Sequence, residues 1–390
     1  MPLDNAPPST AAFDLPEDTQ ALRETALAFA KDVLAPKALE WDLDKHFPVE
    51  EMRQAAELGM AAIYVREDSG GSGLSRLDAA VIFEALATGC PTTSAFLSIH
   101  NMVAWMIDRW GSEAQRALWL PKLVTMELIA SYCLTEPGSG SDAAALRTRA
   151  VRTNDGYVLN GAKQFISGAG ASDLYLTMVR TGGDTPDGIS ALLIPKDAPG
   201  LSFGANERKM GWNAQPTRTV VMEDAKVSAD ALLGEEGQGF RMAMAGLDGG
   251  RLNIAACSIG GAQRALDIAL DYVRERRAFG KAVADFQATQ FRLADMATEL
   301  EASRALLWRA CGKLDAKAAD ATAFCAMAKR FVTDTCFKVT DDALQLLGGY
   351  GYLHDYGIEK LVRDLRVHRI LEGTNEVMRL IVSRHVLGRR

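Results

Sequence analysis

The sequence predicts an α+β protein in which helices come first, a small β domain follows, and helices return at the end. Apolar residues keep one helical face between Leu22 and Val33, and again between Leu293 and Leu307. Between these parts the composition changes to β-rich runs bounded by Gly, Pro and Asp. A chain of 390 residues is long enough for two or three domains. We expect an N-terminal helical domain, a middle β domain and a C-terminal helical bundle, at 1–127, 128–235 and 236–390.

The N-terminal third begins with a helix whose start and end are marked in the sequence. Pro16, followed by Glu17 and Asp18, suits a first helical turn, since acidic side chains there face the positive end of the helix dipole. Pro36 ends the run. The apolar pattern predicts further helices over 50–66, 76–89 and 92–126.

The middle segment carries a hairpin signal and two strand signals. Asn154-Asp155-Gly156 is typical of a tight turn between antiparallel strands. The runs 173–179 and 189–195 are rich in β-branched and aliphatic residues. We therefore expect a small β domain of roughly 100 residues, in the usual domain size range.

The C-terminal part is predicted to be a helical bundle. Its clearest signal is a seam of inward-facing residues that step by three and four positions, as in a long packed helix. The seam consists of Leu293, Met296, Leu300, Ser303 and Leu307.

Composition argues against several classes of function. The net charge is −7, so the mean electrostatic field repels nucleic acid and anionic membranes. No apolar run reaches the length of a spanning helix, and residues 1–12 lack the features of a targeting segment. We expect a cytoplasmic protein of bacterial type, or a matrix protein if this is a processed eukaryotic form. The six cysteines form no CxxC pair and should be buried thiols, and no metal site is predicted.

Two segments have the composition of ligand-binding loops. In 132–142, YCLTEPGSGSD, glycines allow main-chain N–H groups to converge, which suits a phosphate or a polar ring edge, but an ordinary loop has the same composition. In 370–376, ILEGTNE, Glu372 follows two apolar residues. A carboxylate in apolar surroundings has a raised pKa and can act as a base, whereas a solvated glutamate before a Thr374 or Asn375 helix cap is the simpler interpretation.

Two further segments alternate charge, aromatic rings and glycine. In 274–281, RERRAFGK, cations and a phenylalanine on an inter-helix loop could bind a diphosphate and an adenine, although a charge run is often only a solvated face. In 345–352, QLLGGYGY, the glycines indicate a tight reversal or a close approach to the backbone.

Taken together and in this order, these motifs resemble the acyl-CoA dehydrogenase family of flavoproteins over nearly the whole chain. The segments GWNAQPTR (211–218), GLDGGRLNIA (246–255) and RVHRILEGTNEVMR (366–379) are most similar to the members that oxidise isobutyryl-CoA in valine breakdown. The resemblance implies the family fold, with a small middle β-barrel or sandwich and a C-terminal four-helix bundle, and FAD as cofactor.

The resemblance also implies the residues of the site. Glu372 matches the catalytic base. The residues expected to bind FAD are Tyr132, Cys133, Leu134, Thr135, Gly140, Ser141, Phe165, Ile166, Ser167, Arg276, Phe279, Phe286, Gln287, Gln345, Leu346, Leu347, Gly348, Gly349, Thr374, Asn375 and Glu376. Those expected to contact acyl-CoA are Ser141, Asp248, Gly249, Gly250, Arg251, Gly373 and Arg384. In isovaleryl-CoA dehydrogenases the base stands where this chain has Gly250, so Glu372 has no rival.

As implied by the resemblance, Glu372 takes the α-proton of a short branched acyl-CoA while a hydride leaves for the flavin. Electrons then pass to an electron-transfer flavoprotein, and the flavin is shared within a homotetramer, a dimer of dimers.

The alternative functions are a short-chain or 2-methylbutyryl-CoA dehydrogenase, an acyl-CoA oxidase, a non-catalytic DNA-associated relative, and a purely structural helical protein. Oxidases are usually longer, and the negative charge argues against DNA.

Overall fold

The computed structural model describes residues 15–389. The segment on which the expectation about targeting rests lies outside these residues. Six helices make up the N-terminal part: α1 (Glu17–Phe29), α2 (Ala38–Asp44), α3 (Val49–Glu57), α4 (Arg76–Gly89), α5 (Pro91–Trp110) and α6 (Glu113–Val124). Helix α1 begins after Pro16 and runs into a π-helical turn over Ala30–Leu34, as the sequence predicts for its start and end.

Two helix predictions in this part are wrong in extent. The helix predicted over 50–66 stops at Glu57, because the chain turns through Gly59 at φ +78°. The helix predicted over 92–126 is two helices. The first ends at Trp110 with Gly111 as its C-cap, and Ser112 caps the second through a reciprocal capping box with Gln115.

The middle part is one eight-stranded sheet. Its strands are β1 (Ala130–Cys133), β2 (Arg149–Arg152), β3 (Gly156–Ser167), β4 (Leu174–Arg180), β5 (Ile189–Pro195), β6 (Leu201–Phe203), β7 (Thr217–Ser228) and β8 (Leu232–Leu233). The strand order is β6-β7-β3-β2-β4-β5-β8, and β1 lies parallel to β4. Strands β2 and β3 form the antiparallel hairpin that the Asn154-Asp155-Gly156 turn predicts.

The C-terminal part is helical, which confirms the predicted α+β class. It consists of α7 (Gly239–Glu275), a short hairpin of β9 (Arg277–Ala278) and β10 (Lys281–Ala282), then α8 (Gln287–Asp315), α9 (Ala321–Leu347), α10 (Ile358–Arg366) and α11 (Asn375–Val386). In the α8 seam Met296, Leu300, Ser303 and Leu307 are buried, and Leu293 is partly exposed at its end.

Helix α7 is the centre of the molecule. It packs along α9 and α4, and also against α5 and α8, so its glycine-rich first half is enclosed by other elements. One apolar core joins both helical parts, and two smaller cores involve the sheet, one of them against α5 and the start of α7.

All six cysteines are buried and form no disulfide, as expected from the sequence. Within residues 15–389, no helix has the length and apolar character to cross a membrane. The domain boundaries stay a prediction.

Candidate active site

Glu372 lies in a strained turn directly before α11. Its φ is +55° and that of Gly373 is +94°, so two consecutive residues are left-handed. A residue with a Cβ rarely adopts this conformation, and it persists only where the surroundings hold it. Thr374 caps α11 by accepting a hydrogen bond from the Val377 N–H at 3.4 Å. The predicted helix cap is therefore confirmed.

Two cations from different helices hold the carbonyls of this turn. Arg251, on α7, donates from Nε to the main-chain oxygen of Glu372 at 3.3 Å. Lys329, on α9, donates from Nζ to the main-chain oxygen of Gly373 at 2.8 Å. Arg251 is itself fixed by Asp248, whose Oδ1 accepts its Nη1 at 2.7 Å. The turn thus takes its shape from α7 and α9 as well as from its own sequence.

The Glu372 side chain is partly buried, and its carboxylate rests on Gly250. A Cβ placed on Gly250 would meet Oε2 of Glu372 and would lie 2.9 Å from its Cδ. Oε2 is buried and has no hydrogen-bond partner among residues 15–389. Burial raises the pKa of Glu372 to about 7, although the charges of Lys329 and Arg251 oppose the shift. The carboxyl group can therefore give up or take a proton near neutral pH.

Tyr132 supplies a second buried polar atom beside this carboxylate. It stands in β1, and within the described chain its hydroxyl has no hydrogen-bond partner. Burial raises the pKa of Tyr132, and the nearby Glu372 charge raises it further. Two unpaired polar atoms in one enclosed region are costly unless a ligand group satisfies them. This observation supports a binding site for a polar molecule at this position.

The loop after β1 is tied to the sheet from inside. Glu136 accepts a hydrogen bond from Nζ of the fully buried Lys163 at 2.7 Å, and two more from the main-chain N–H groups of Arg147 and Thr148. The Thr135 oxygen accepts the Gln164 N–H at 2.8 Å. With these anchors inside, Gly138, Gly140 and Ser141 are exposed on the outer side of the loop.

Phe165 projects from a bulge in β3. The register between β3 and β7 shifts between Lys163 and Ile166, and Phe165 has φ +60° with 65% of its surface exposed. Its neighbour Ile166 is buried, and the Ser167 oxygen accepts the Ser131 hydroxyl at 2.6 Å. The bulge turns one large apolar ring outward, as a planar ligand needs.

A second group of expected residues meets around an open cleft of about 420 Å³ at the other end of α7. The Arg276 guanidinium lies 5.6 Å from the Tyr350 ring centroid. Phe279 is 96% exposed, and its ring meets that of Phe286 edge-on. Nothing lies within 4 Å of a Cβ placed on Gly348 or Gly349. The cleft is lined by Tyr272, Arg276, Val283, Gln345, Leu346, Leu347, Gly348, Gly349, Tyr350 and Leu353.

The remaining expected residues lie at the start and end of helices. Gln287 begins α8. Asn375 is buried at the start of α11 and Glu376 is exposed in its first turn, whereas Arg384 is exposed in its last turn. Of the expected residues, the structure brings five next to Glu372 or its turn: Tyr132, Asp248, Gly250, Arg251 and Gly373. It brings Arg276 and the segment 345–349 into one cleft, and Arg384 is exposed.

Sequence reasoning missed several residues around Glu372. Lys329 is one, although its spacing from Cys325 and Val332 places it on the buried face of α9 and could have indicated it. Arg76 is another: its guanidinium stacks on the Tyr64 ring at 3.7 Å and packs on Gly249. The Tyr64 hydroxyl accepts the Asn253 amide at 3.1 Å. Nothing in the local sequence of Arg76 indicates this position.

Comparison with known proteins covers almost the whole chain. The chain matches three family models, those of the N-terminal, middle and C-terminal domains of acyl-CoA dehydrogenase, over residues 16–127, 131–225 and 237–387. It is 58% identical over 373 residues to a Dictyostelium discoideum protein named isobutyryl-CoA dehydrogenase, mitochondrial, covering 95% of this chain and 90% of that one. A Bos taurus protein of the same name is 54% identical, with 96% and 90% covered. The solved butyryl-CoA dehydrogenase of Megasphaera elsdenii superposes with a TM-score of 0.93 at 36% identity, covering 96% of this chain and 99% of that one.

Proposed function

The chain belongs to the acyl-CoA dehydrogenase family, and on that premise we propose that it oxidises isobutyryl-CoA to methacrylyl-CoA. The observation that carries the proposal is the Glu372 carboxylate, whose Oε2 is buried with no hydrogen-bond partner in residues 15–389 and whose pKa is raised by burial to about 7. A base that removes a proton α to a thioester needs these properties. The similarity to two proteins named isobutyryl-CoA dehydrogenase supports the choice of acyl group.

The cofactor is FAD, and the residues present fit it. When bound, FAD accepts the β-hydrogen of the substrate as a hydride. In one protomer the residues holding it would be the exposed turn around Gly140 and Ser141, the outward ring of Phe165 and the first turn of α11. The Arg276 cleft would hold the adenine-diphosphate half for a neighbouring protomer, since it combines a guanidinium, aromatic rings and open glycines.

Within this chain, Glu372 takes the α-proton and the start of α11 stabilises the charge that develops on the thioester oxygen. The Glu376 N–H is in the first helical turn, where main-chain donors have no acceptor inside the helix. In this structure the carboxylate of Glu376 accepts that N–H, which lowers its pKa. Because this side chain is exposed, it is free to turn into solvent when substrate arrives. Asp248, Gly249, Gly250 and Arg251 would line the path of the acyl-CoA.

A panel of acyl-CoA esters tests the substrate. We expect the highest kcat/KM for isobutyryl-CoA, with reduced activity on 2-methylbutyryl-CoA and butyryl-CoA, because one methylene in an apolar pocket changes the rate by only about 10- to 200-fold. Isovaleryl-CoA should be poor, since its branch crowds the carbon that gives up the hydride. If octanoyl-CoA or isovaleryl-CoA gave the highest kcat/KM side by side, the substrate assignment would be wrong while the family would stand.

We further propose that electrons pass to an electron-transfer flavoprotein and that the chain forms a homotetramer built as a dimer of dimers. The open Arg276 cleft and the Phe279–Phe286 ring pair that follows it in the chain support a shared site, because they offer a guanidinium and aromatic rings to a diphosphate and an adenine. A bacterial chain would act in the cytoplasm, and a eukaryotic one in the mitochondrial matrix.

Arg276→Ala should weaken FAD retention and the oligomer together. The change removes a charge-assisted contact to the diphosphate, so the melting temperature should fall only when FAD is not saturating. FAD titration and size-exclusion chromatography measure both effects. Arg274→Ala is the matched control. Arg274 is an exposed arginine near the end of the same helix, and its guanidinium makes only a long ion pair with Asp271, at 3.8 Å. An FAD dissociation constant equal to that of wild type would refute the assignment.

A further inference from the structure

Lys329 is a buried cation with an unusual set of partners. It is 0% exposed on the inner face of α9. Its two hydrogen-bond acceptors are neutral, the Gly373 oxygen at 2.8 Å and the Asn375 Oδ1 at 2.9 Å. A buried ammonium is costly unless it is paired and hydrogen-bonded. Burial lowers the pKa of Lys329 to about 8, and the nearby Glu372 charge counteracts this.

The acceptors of Lys329 belong to the segment that carries Glu372. The left-handed conformation strains Glu372, which carries a Cβ, whereas Gly373 adopts it freely, so the turn needs partners that hold it. Arg251 holds the first carbonyl from α7 and Lys329 holds the second from α9. The Asn375 amide also donates to Thr333 at 3.0 Å and to Asp334 at 2.9 Å. Helix α9 thus fixes both the turn and the start of α11.

We propose that Lys329 is a positioning residue for the reaction: it fixes the Gly373 peptide so that the Glu372 carboxylate stays over Gly250 and faces the substrate α-carbon. The inference rests on the proposed role of Glu372 as the base. Lys329 itself touches neither the reacting atoms nor the carboxylate by a hydrogen bond. It acts through the turn, and its charge also favours the ionised form of Glu372.

Two neutral variants separate the hydrogen bond from the charge. Lys329→Met removes both, and Lys329→Gln removes the charge but keeps an N–H donor. The assay uses isobutyryl-CoA and an electron-accepting dye. We expect kcat to fall about 10- to 100-fold in Lys329→Met and less in Lys329→Gln, with KM little changed. The reason is that displacement of the Glu372 carboxylate by on the order of 1 Å costs up to about 10²-fold in rate.

The pH profile supplies a result that a purely structural role would not give. The groups around the Glu372 carboxyl are Lys329 on α9, Arg251 and Cys257 on α7, Tyr132 on β1, and Tyr64. Since Lys329 lowers the pKa of Glu372, removing its charge should move the rise of kcat/KM to higher pH in both variants. Lys338→Met is the matched control, because Lys338 lies exposed on the same helix, 3.0 Å from Glu299. It should keep both kcat and pH profile.

The outcomes separate the two proposals. If Lys329→Met folds, binds FAD and keeps the wild-type kcat, the positioning role is overturned, because methionine offers no donor to the Gly373 oxygen. If Lys329→Met does not fold, Lys329→Gln decides: a lower kcat with its rise at higher pH supports the role, and a wild-type kcat with a wild-type pH profile overturns it. If Glu372→Gln is fully active in the same assay, the proposed base has failed, and the failure does not concern Lys329.

Discussion

Glu372→Gln should lose turnover while keeping its flavin spectrum and its affinity for the CoA ester. Glutamine has nearly the shape of glutamate but cannot take a proton, so the change removes only the base. A positioned base contributes about 10²- to 10⁴-fold, and kcat should fall within this range. Because Oε2 has no hydrogen-bond partner in residues 15–389, the amide breaks no hydrogen bond within the protein at that atom.

The measurement is kcat with isobutyryl-CoA, together with the spectral change on ligand binding. Retained binding shows that the pocket is intact, so that the loss belongs to the chemical step. A fall in kcat smaller than about tenfold would be too small for loss of a positioned base, and it would refute the role of Glu372.

Gly250→Ala should lower kcat about hundredfold although the new side chain is one methyl group. The added Cβ would lie 2.9 Å from Cδ and 3.1 Å from Oε1 of Glu372, closer than packed atoms tolerate. The carboxylate must then move by on the order of 1 Å, and misplacement of a reacting group by that distance costs about 10²-fold. Alanine is the better helix former by roughly 1 kcal/mol, so α7 itself should not be weakened.

Gly312→Ala is the control for the effect of alanine in a helix. Gly312 lies in α8 and nothing is within 4 Å of its Cβ position. This variant should keep wild-type kcat and melt slightly higher. Wild-type kcat in Gly250→Ala would contradict the placement of the carboxylate over α7.

The sequence predicted the order of helices and strands well where the signal is local. The Asn154-Asp155-Gly156 turn and the α8 seam are examples, because turn chemistry and helical spacing depend on neighbouring residues only. The two helix extents that were wrong share a cause. A glycine inside an apolar run, Gly59 in one case and Gly111 in the other, ends a helix although the apolar pattern continues, and Ser112 then starts a new one.

The site depends on contacts that no local pattern contains. Taken alone, the residues around Glu372 favour a solvated glutamate before a helix cap, and the cap is indeed present at Thr374. Gly250 lies against the carboxylate and Lys329 holds the neighbouring Gly373 oxygen, and both residues are far away along the chain. Only the ordered set of motifs shared with a known family indicated Glu372 from sequence. The roles of Glu372, Gly250 and Arg276 are proposals, and the variants of these residues test them.

The most direct test of the central claim is a single turnover without oxygen. FAD-loaded wild-type protein mixed with isobutyryl-CoA should lose its oxidised-flavin absorbance and form one methacrylyl-CoA per flavin. In Glu372→Gln the flavin should be reduced at least a hundredfold more slowly, which is within the range for loss of a base. If both proteins were reduced at the same rate, Glu372 would not be the base of an acyl-CoA dehydrogenation in this protein. If isobutyryl-CoA left the wild-type flavin oxidised, the proposed substrate would be wrong.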